Sequence, residues 1–289
     1  MEEAIRGNCH CGNFRFEIPA DSSSTPAKLG VTICHCSLCT KLGSLWLPVN
    51  PDDFAITRDK GTLTTYRGVR FCRDCGTTVT SEHVAGPLQG KFLVNARAVA
   101  GFNPFQLGTN VIHTTGSETD PKDIDHQQRQ TQTPSSMPVT GAEQDPVKHR
   151  GSCHCGKVNV ELLVELDELE IKEDNCSSCV RDAYIGTYPT KEQVRIHGRE
   201  HTFEYRYGSK FNGIAHCRTC GVVVFTNVYG PPLSVFDRLP AERKERALAV
   251  YWKNMALQPV NVRVLDGVDL GALTIQKTDE GAEGYVLPP

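Results

Sequence analysis

The chain has 13 cysteines, and their arrangement constrains its fold more than any other feature of the sequence. They fall in short clips of the form Cys-x-Cys or Cys-x-x-Cys rather than singly along the chain. An odd number of cysteines cannot all pair in disulfides, and clips with this spacing are typical of metal sites. We therefore expect Zn²⁺, rather than disulfide bonds, to hold the fold together.

The clips also recur in the same order in the two halves of the chain, which indicates a duplicated domain. At 289 residues, the chain is long enough for two domains that each bury a core. Four short segments, which we call anchors, occur in the same order in both copies. They are 7–12 and 151–156 (offset 144), Cys36/Cys39 and Cys176/Cys179 (offset 140), 72–76 and 217–221 (offset 145), and 94–97 and 260–263 (offset 166).

The offsets also predict where the copies differ. The rise from 145 to 166 predicts an insertion of 21 residues in the second copy, and residues 240–252 within it have the composition of a helix. The stretch 115–149 lacks aromatic residues and is rich in Gln, Thr, Ser and Pro, which is typical of a linker. Alternating and β-branched runs elsewhere predict strands. We expect two mainly β domains, 1–114 and 150–289, with a small helical insertion in the second.

Two separated pairs of thiols in each copy predict a tetrahedral zinc site with four cysteine ligands. Such a site has no open position, so its role is to tie distant segments of the chain together. The eight predicted ligands are Cys9, Cys11, Cys72 and Cys75 in the first copy, and Cys153, Cys155, Cys217 and Cys220 in the second.

The remaining first-copy cluster has a different layout. Cys34, Cys36 and Cys39 offer three thiols within six residues and no obvious fourth ligand. Three protein ligands with one exchangeable position are typical of catalytic zinc, and a closed site completed by another residue is the alternative. A soft zinc site of this kind would accept and activate a substrate thiol.

Catalysis at that cluster would also require proton transfer. By residue type, His35, Ser37 and His113 are the candidates, and His35 is also a candidate fourth ligand. In the second copy, Asp174 stands where the first copy has Cys34, beside Cys176 and Cys179. A carboxylate is a harder ligand than a thiolate, so we expect zinc to bind there weakly or not at all.

Charge and hydropathy narrow the classes of partner. The net charge of −3 gives no reason to expect a nucleic-acid or membrane partner, since direct DNA binding usually requires a basic patch. Apolar runs fall short of the roughly 18–20 residues of a membrane span, and the N-terminus lacks the apolar stretch of a secretory signal. Clustered thiols fit a reducing compartment, so we expect a cytoplasmic or nuclear protein with neither a nucleic-acid nor a membrane partner.

The combined pattern G-x-C-x-C-G, C-x-C-x-x-C and C-x-x-C-G resembles the glutathione-dependent formaldehyde-activating enzyme family, also called the centromere protein V family. The likeness covers about 7–105 and 151–273. It implies a β-tent fold with two zinc positions per domain. By that likeness, one position is structural, and the other, at Cys34, Cys36 and Cys39, is catalytic.

The resemblance implies carbon–sulfur lyase chemistry on S-hydroxymethylglutathione. A tandem chain with one altered cluster departs from the usual single domain and leaves room for a larger thiol adduct. The leading hypothesis is a zinc-dependent carbon–sulfur lyase-type enzyme acting on a glutathione or other thiol adduct. The alternative is a non-catalytic zinc-binding scaffold or protein-interaction module. A thiol–disulfide redox protein is a third reading, but the sequence lacks the βαβ pattern of that class.

Overall fold

The computed structural model describes residues 4–20, 30–83, 87–107, 111–114, 146–281 and 285–289. The described residues form two similar mainly β repeats with few helices, which confirms the predicted fold class. Residues 115–145, most of the predicted linker, lie outside the described part, so the boundaries 1–114 and 150–289 stay a prediction. None of the helices in the described part is long and apolar enough to cross a bilayer.

The first repeat contains a three-stranded antiparallel sheet and a seven-stranded mixed sheet. The three-stranded sheet has the order β1 (Ala4–Asn8), β2 (Phe14–Pro19), β5 (Ala55–Asp59). The seven-stranded sheet has the order β10 (Val111–Thr114), β3 (Val31–Cys34), β4 (Trp46–Pro48), β9 (Phe92–Asn95), β8 (Thr78–Glu82), β7 (Val69–Cys72), β6 (Leu63–Tyr66).

The second repeat has the same topology, including a parallel pair of strands at the sheet edge. Its three-stranded sheet has the order β11 (His149–Ser152), β12 (Asn159–Leu162), β15 (Val194–His197). Its seven-stranded sheet has the order β20 (Gln276–Thr278), β13 (Ile171–Asp174), β14 (Ile185–Thr187), β19 (Val260–Asn261), β18 (Val223–Val228), β17 (Asn212–Cys217), β16 (Thr202–Tyr205).

The described residues also form three α-helices. The short helices α1 (Ser37–Leu42) and α2 (Ser177–Asp182) follow equivalent strands and carry the last cysteine of each second cluster. The third, α3 (Ala241–Met255), belongs to the second repeat. It confirms the helix that the composition of 240–252 predicts inside the insertion.

The two repeats share their hydrophobic core through α1 and α2. Leu38 and Leu42 of α1 lie in a buried cluster made mostly of second-repeat residues such as Val224 and Val260. In return, Val180 of α2 lies in the buried cluster of the first repeat. Each repeat therefore completes the core of the other, and each second cysteine cluster lies at the junction between them.

The repeated Val-Asn-x-Arg anchor holds this junction. Asn95 accepts a hydrogen bond from the Leu45 N–H and donates one to the Thr78 carbonyl, which ties β4 and β8 to the following turn. The buried guanidinium of Arg97 donates to the carbonyl of Gly43 at 2.7 Å and to that of Val180, across the junction, at 3.2 Å. The anchor is therefore a structural element of the pairing between the repeats.

Gly43 shows how closely the repeats approach each other. It ends α1 in the left-handed region, with φ of 58°, and a Cβ added there would overlap the Cβ of Ala183. Ala183 ends α2 in the same conformation, with φ of 49°. Glycine is therefore required at position 43 both for the turn and for the contact between the two helix ends.

Candidate metal centres

The cysteines of each predicted four-cysteine site lie close together in the structure. In each, the donor atoms lie within 4.8 Å of one another. The first clip follows the first strand of the small sheet, and the second clip joins the strands equivalent to β7 and β8, so the cluster links the two sheets. The clusters are Cys9, Cys11, Cys72, Cys75 and Cys153, Cys155, Cys217, Cys220.

The sulfur separations suit zinc. The Sγ of Cys11 lies 3.5 Å from that of Cys9 and 3.7 Å from that of Cys72. A tetrahedral site with Zn–S bonds of about 2.3 Å has S–S separations of about 3.8 Å. The Phe14 N–H also donates to the Cys9 Sγ at 3.3 Å, which stabilises a thiolate there.

The thiol pKa values in this cluster show why a cation fits it. Hydrogen bonds, chiefly from Cys11, hold the pKa of Cys72 below its ordinary value. The hydrogen bond with Cys11 raises the pKa of Cys9, and burial raises that of Cys75. Closely packed thiolates repel one another, so each thiol resists losing its proton. A bound dication compensates the negative charge, and the thiol protons are released when it binds.

The first repeat's second cluster has a fourth member that the sequence analysis missed. The donor atoms of Cys34, Cys36, Cys39 and His83 lie within 4.8 Å of one another. Cys34 ends β3, Cys36 is the N-cap of α1, and His83 directly follows β8. His83 is therefore a candidate fourth donor, the residue that a closed site would require, whereas a site held by the three thiols alone would keep an exchangeable position.

The surroundings of His83 orient it as a ligand. Its Nε2 lies 3.4 Å from the Sγ of Cys39, and its Nδ1 lies 3.0 Å from the hydroxyl of Ser81. Fully buried Trp46 contacts the His83 ring edge-on and donates from Nε1 to the Cys39 Sγ at 3.2 Å. Partners of this kind fix the tautomer and orientation of a metal ligand. Trp46 therefore belongs to the core and also contacts the metal cluster.

The sequence-derived proton-transfer candidates divide into two places. His35 and His113 lie together at the surface because β10 pairs in parallel with β3. Their rings stack with centroids 5.4 Å apart, and Nε2 of His35 lies 3.1 Å from Nδ1 of His113. Ser37 instead contacts the second repeat, where its hydroxyl lies 3.1 Å from Nε2 of His154.

That contact belongs to a symmetric pair between the repeats. The ring of His154, inside its Cys-His-Cys clip, bridges Ser37 and the hydroxyl of Tyr66, which lies 3.0 Å from Nδ1. The equivalent pair of contacts is made by His10, whose ring bridges Ser177 at 2.9 Å and Tyr205 at 2.8 Å. The Cys-His-Cys clip of each four-cysteine cluster thus contacts the segment that carries the second cluster of the other repeat. Tyr66 and Tyr205 both contribute hydroxyl groups to this junction.

The second repeat's second cluster differs at two positions. Asp174, Cys176 and Cys179 bring their donor atoms within 4.8 Å of one another, so the residues expected to form an altered site do meet. The Asp174 carboxylate accepts a hydrogen bond from the Cys176 N–H at 2.5 Å. Val228 occupies the place equivalent to His83, because β18 and β8 align with an offset of 145. This cluster therefore offers two thiols, one carboxylate and no imidazole.

Two comparisons with known proteins give matches to part of this chain. A family model described as "Glutathione-dependent formaldehyde-activating enzyme" matches residues 4–106. Among solved structures, a Rhodobacter sphaeroides protein from a structural genomics programme is 24% identical, over 45% of this chain and 99% of that chain, with a TM-score of 0.31. The first repeat is therefore similar to the glutathione-dependent formaldehyde-activating enzyme family over residues 4–106, and the second repeat has the same sheet topology as the first.

Proposed function

We propose that the first repeat is a zinc-dependent carbon–sulfur lyase-type site that acts on a glutathione or similar thiol adduct. The observation that carries this proposal is the cluster of Cys34, Cys36, Cys39 and His83 beside the exposed pair of His35 and His113. The cluster supplies soft donors for zinc, and the histidine pair supplies groups for proton transfer at the surface. The matched family model supports the same class of substrate.

The proposed reaction balances without an oxidant or reductant. In an S-hydroxymethyl thiol adduct, the hydroxyl loses its proton and its C–O bond becomes a carbonyl. The electron pair of the C–S bond passes to sulfur, which gives an aldehyde and a thiolate. Zinc held by the cluster would stabilise the sulfur as a thiolate. The exposed His35–His113 pair would accept the hydroxyl proton and release it to solvent.

The alternative function, a non-catalytic zinc scaffold, is favoured by a specific observation. Four protein donors, as at Cys34, Cys36, Cys39 and His83, are the usual set of a structural zinc site. In that case the cluster would fix α1 against β8 and would not take part in turnover. All 13 cysteines lie in the four clusters, so either function fits a reducing cytosol or nucleus.

A kinetic experiment separates the two functions. Zinc-loaded protein is mixed with glutathione and formaldehyde, and NMR exchange spectroscopy measures the rate at which S-hydroxymethylglutathione forms and breaks down. We expect acceleration over the uncatalysed rate, loss of that acceleration in Cys39→Ala, and retention of most of it in Cys179→Ala. Scaffold function predicts the uncatalysed rate for all three proteins. Activity in Cys39→Ala with loss in Cys179→Ala would place the reaction in the second repeat instead.

A further inference from the structure

A cavity of about 500 Å³ lies beside the second repeat's altered cluster, and neither the family match nor the proposed function uses it. Asp174, Cys176 and Cys179 contribute to its wall, and so does Val228, the residue that replaces the first repeat's histidine ligand. Its size is within the range of about 300–1,000 Å³ that is typical of small-molecule sites.

Two additions specific to the second repeat build much of this wall. In the first repeat, Tyr66 and Val69 flank a hairpin turn of two residues, 67–68. In the second, eight residues, 206–213, separate the equivalent Tyr205 and Ile214. This longer hairpin places Tyr207 and Phe211 at the cavity, while the helical insertion contributes Asn254 and adjacent Leu257. The cavity thus follows from sequence that the first repeat lacks.

The lining indicates the chemistry of a ligand. Three tyrosines and one phenylalanine face the cavity with several aliphatic side chains, so an aromatic ring would find edge and face contacts. Burial raises the pKa of Tyr188 to about 12, so this hydroxyl is neutral at pH 7. The aromatic and aliphatic lining residues are Tyr184, Tyr188, Tyr207, Phe211, Ile214, Val228, Leu257 and Pro259.

The charged lining residues already have partners. Lys172, the single cation among the described lining residues, pairs with Glu170 at 2.6 Å. Asp182 lies 3.3 Å from Nε2 of His216, and Asp174 accepts the Cys176 N–H. A glutathione carboxylate would have to compete with Glu170 for its cation, and an uncharged molecule would not.

The altered cluster also supplies an attachment point for a head group. In the first repeat His83 provides the fourth donor, but Val228 at the equivalent place carries only methyl groups toward the cavity. A metal held by two thiolates and a carboxylate would retain an open position there. We propose that this cavity binds an uncharged aromatic small molecule whose thiol or hydroxyl group completes the Asp174–Cys176–Cys179 metal site. This cavity is separate from the proposed lyase site of the first repeat.

Calorimetric titration of the zinc-loaded protein tests the proposal with two probes, benzyl mercaptan and 4-(mercaptomethyl)benzoate. Benzyl mercaptan should bind at one site per chain, and the anionic probe should bind at least about tenfold more weakly. Val228→His restores the donor that the second repeat lacks, and the Thr226 hydroxyl stands where the first repeat has Ser81 beside its histidine. This variant should weaken benzyl mercaptan binding at least about tenfold, equal to about 1.4 kcal/mol.

A second variant and a control keep the result independent of folding. Phe211 is partly exposed on the hairpin, so Phe211→Ala should fold and weaken binding about threefold to tenfold. Ile56→Ala, on an exposed part of β5, should bind as the wild type does. Undiminished binding in both Val228→His and Phe211→Ala would overturn the proposal. Equal affinity for the benzoate probe, or no binding of benzyl mercaptan, would overturn it as well.

Discussion

Replacing one ligand of a four-cysteine cluster should destabilise the whole described structure rather than one repeat. Cys220→Ser in the second repeat is the most direct case, because its cluster joins two clips more than 60 residues apart, 153–155 and 217–220. Zinc at a site of this kind contributes about 10–16 kcal/mol of apparent binding free energy to folding. A domain's net stability is only about 5–15 kcal/mol, so losing even half of the zinc contribution is comparable with the whole of it.

The shared core determines how far the effect spreads. Leu38, Leu42 and Trp46 of the first repeat belong to the same buried cluster as the core of the second repeat. A loss of about 5–8 kcal/mol lowers Tm by about 10–30 °C in a domain of this size. We therefore expect Cys220→Ser to shift one common unfolding transition by that amount, rather than to unfold the second repeat alone.

Differential scanning calorimetry with parallel zinc analysis measures this effect. Cys176→Ser is the matched control, since it replaces a half-buried cysteine of the same repeat outside the four-cysteine cluster, and its Tm should fall by only about 5 °C or less. A zinc-loaded Cys220→Ser protein that melts within about 3 °C of the wild type would refute the structural role of the cluster. Two separate transitions, with the first repeat unaffected, would refute the shared core.

Two further predictions concern metal content and the helix junction. Protein purified without added metal should contain three zinc ions per chain, and any fourth ion, at Asp174, Cys176 and Cys179, should be the first that a chelator removes. Elemental mass spectrometry measures the zinc content. One zinc ion or fewer per chain would contradict the duplicated sites. Gly43→Ala should lower the free energy of unfolding by at least about 2 kcal/mol, whereas Ala183→Gly should change it by less than about 1 kcal/mol, because only the former adds an overlapping Cβ. Equal effects in urea denaturation would contradict the close contact.

The sequence was sufficient to predict the features that depend on short-range spacing. The duplication, the four-cysteine clusters and the helix at α3 (Ala241–Met255) all follow from local patterns or from the offset between the copies. Zinc chemistry requires ligands in close clips, so such sites leave a strong signal in the sequence.

The fourth donor left no such signal. His83 lies 44 residues after Cys39, one histidine among ten, and reaches the cluster only because the seven-stranded sheet brings the end of β8 to α1. Alignment of the repeats would not have found it either, since Val228 stands in its place. Because His83 links distant segments of the chain, Cys36→Ser should lower the free energy of unfolding by more than a site of three ligands close in sequence would.

The hairpin beside the second repeat's cavity did leave a weak signal in the sequence. The offset between the copies rises from 140 at Cys179 to 145 at Cys217, so the second repeat has extra residues between them. Those residues include 206–213, but neither their place over a cavity nor the exchange of α1 and α2 between the cores can be inferred from spacing. Both depend on how the repeats pack, and pseudo-symmetric packing leaves no periodic pattern in either copy.

The most direct measurement of the central claim is whether a thiol substrate enters the first repeat's metal site. Protein reconstituted with cobalt in place of zinc is titrated with glutathione, and the sulfur-to-cobalt charge-transfer absorption is followed. We predict that glutathione changes this spectrum in the wild type and in Cys179→Ala, and that Cys39→Ala abolishes the change. A spectrum indifferent to glutathione in fully loaded wild-type protein would contradict the claim and leave Cys34, Cys36, Cys39 and His83 as a structural site.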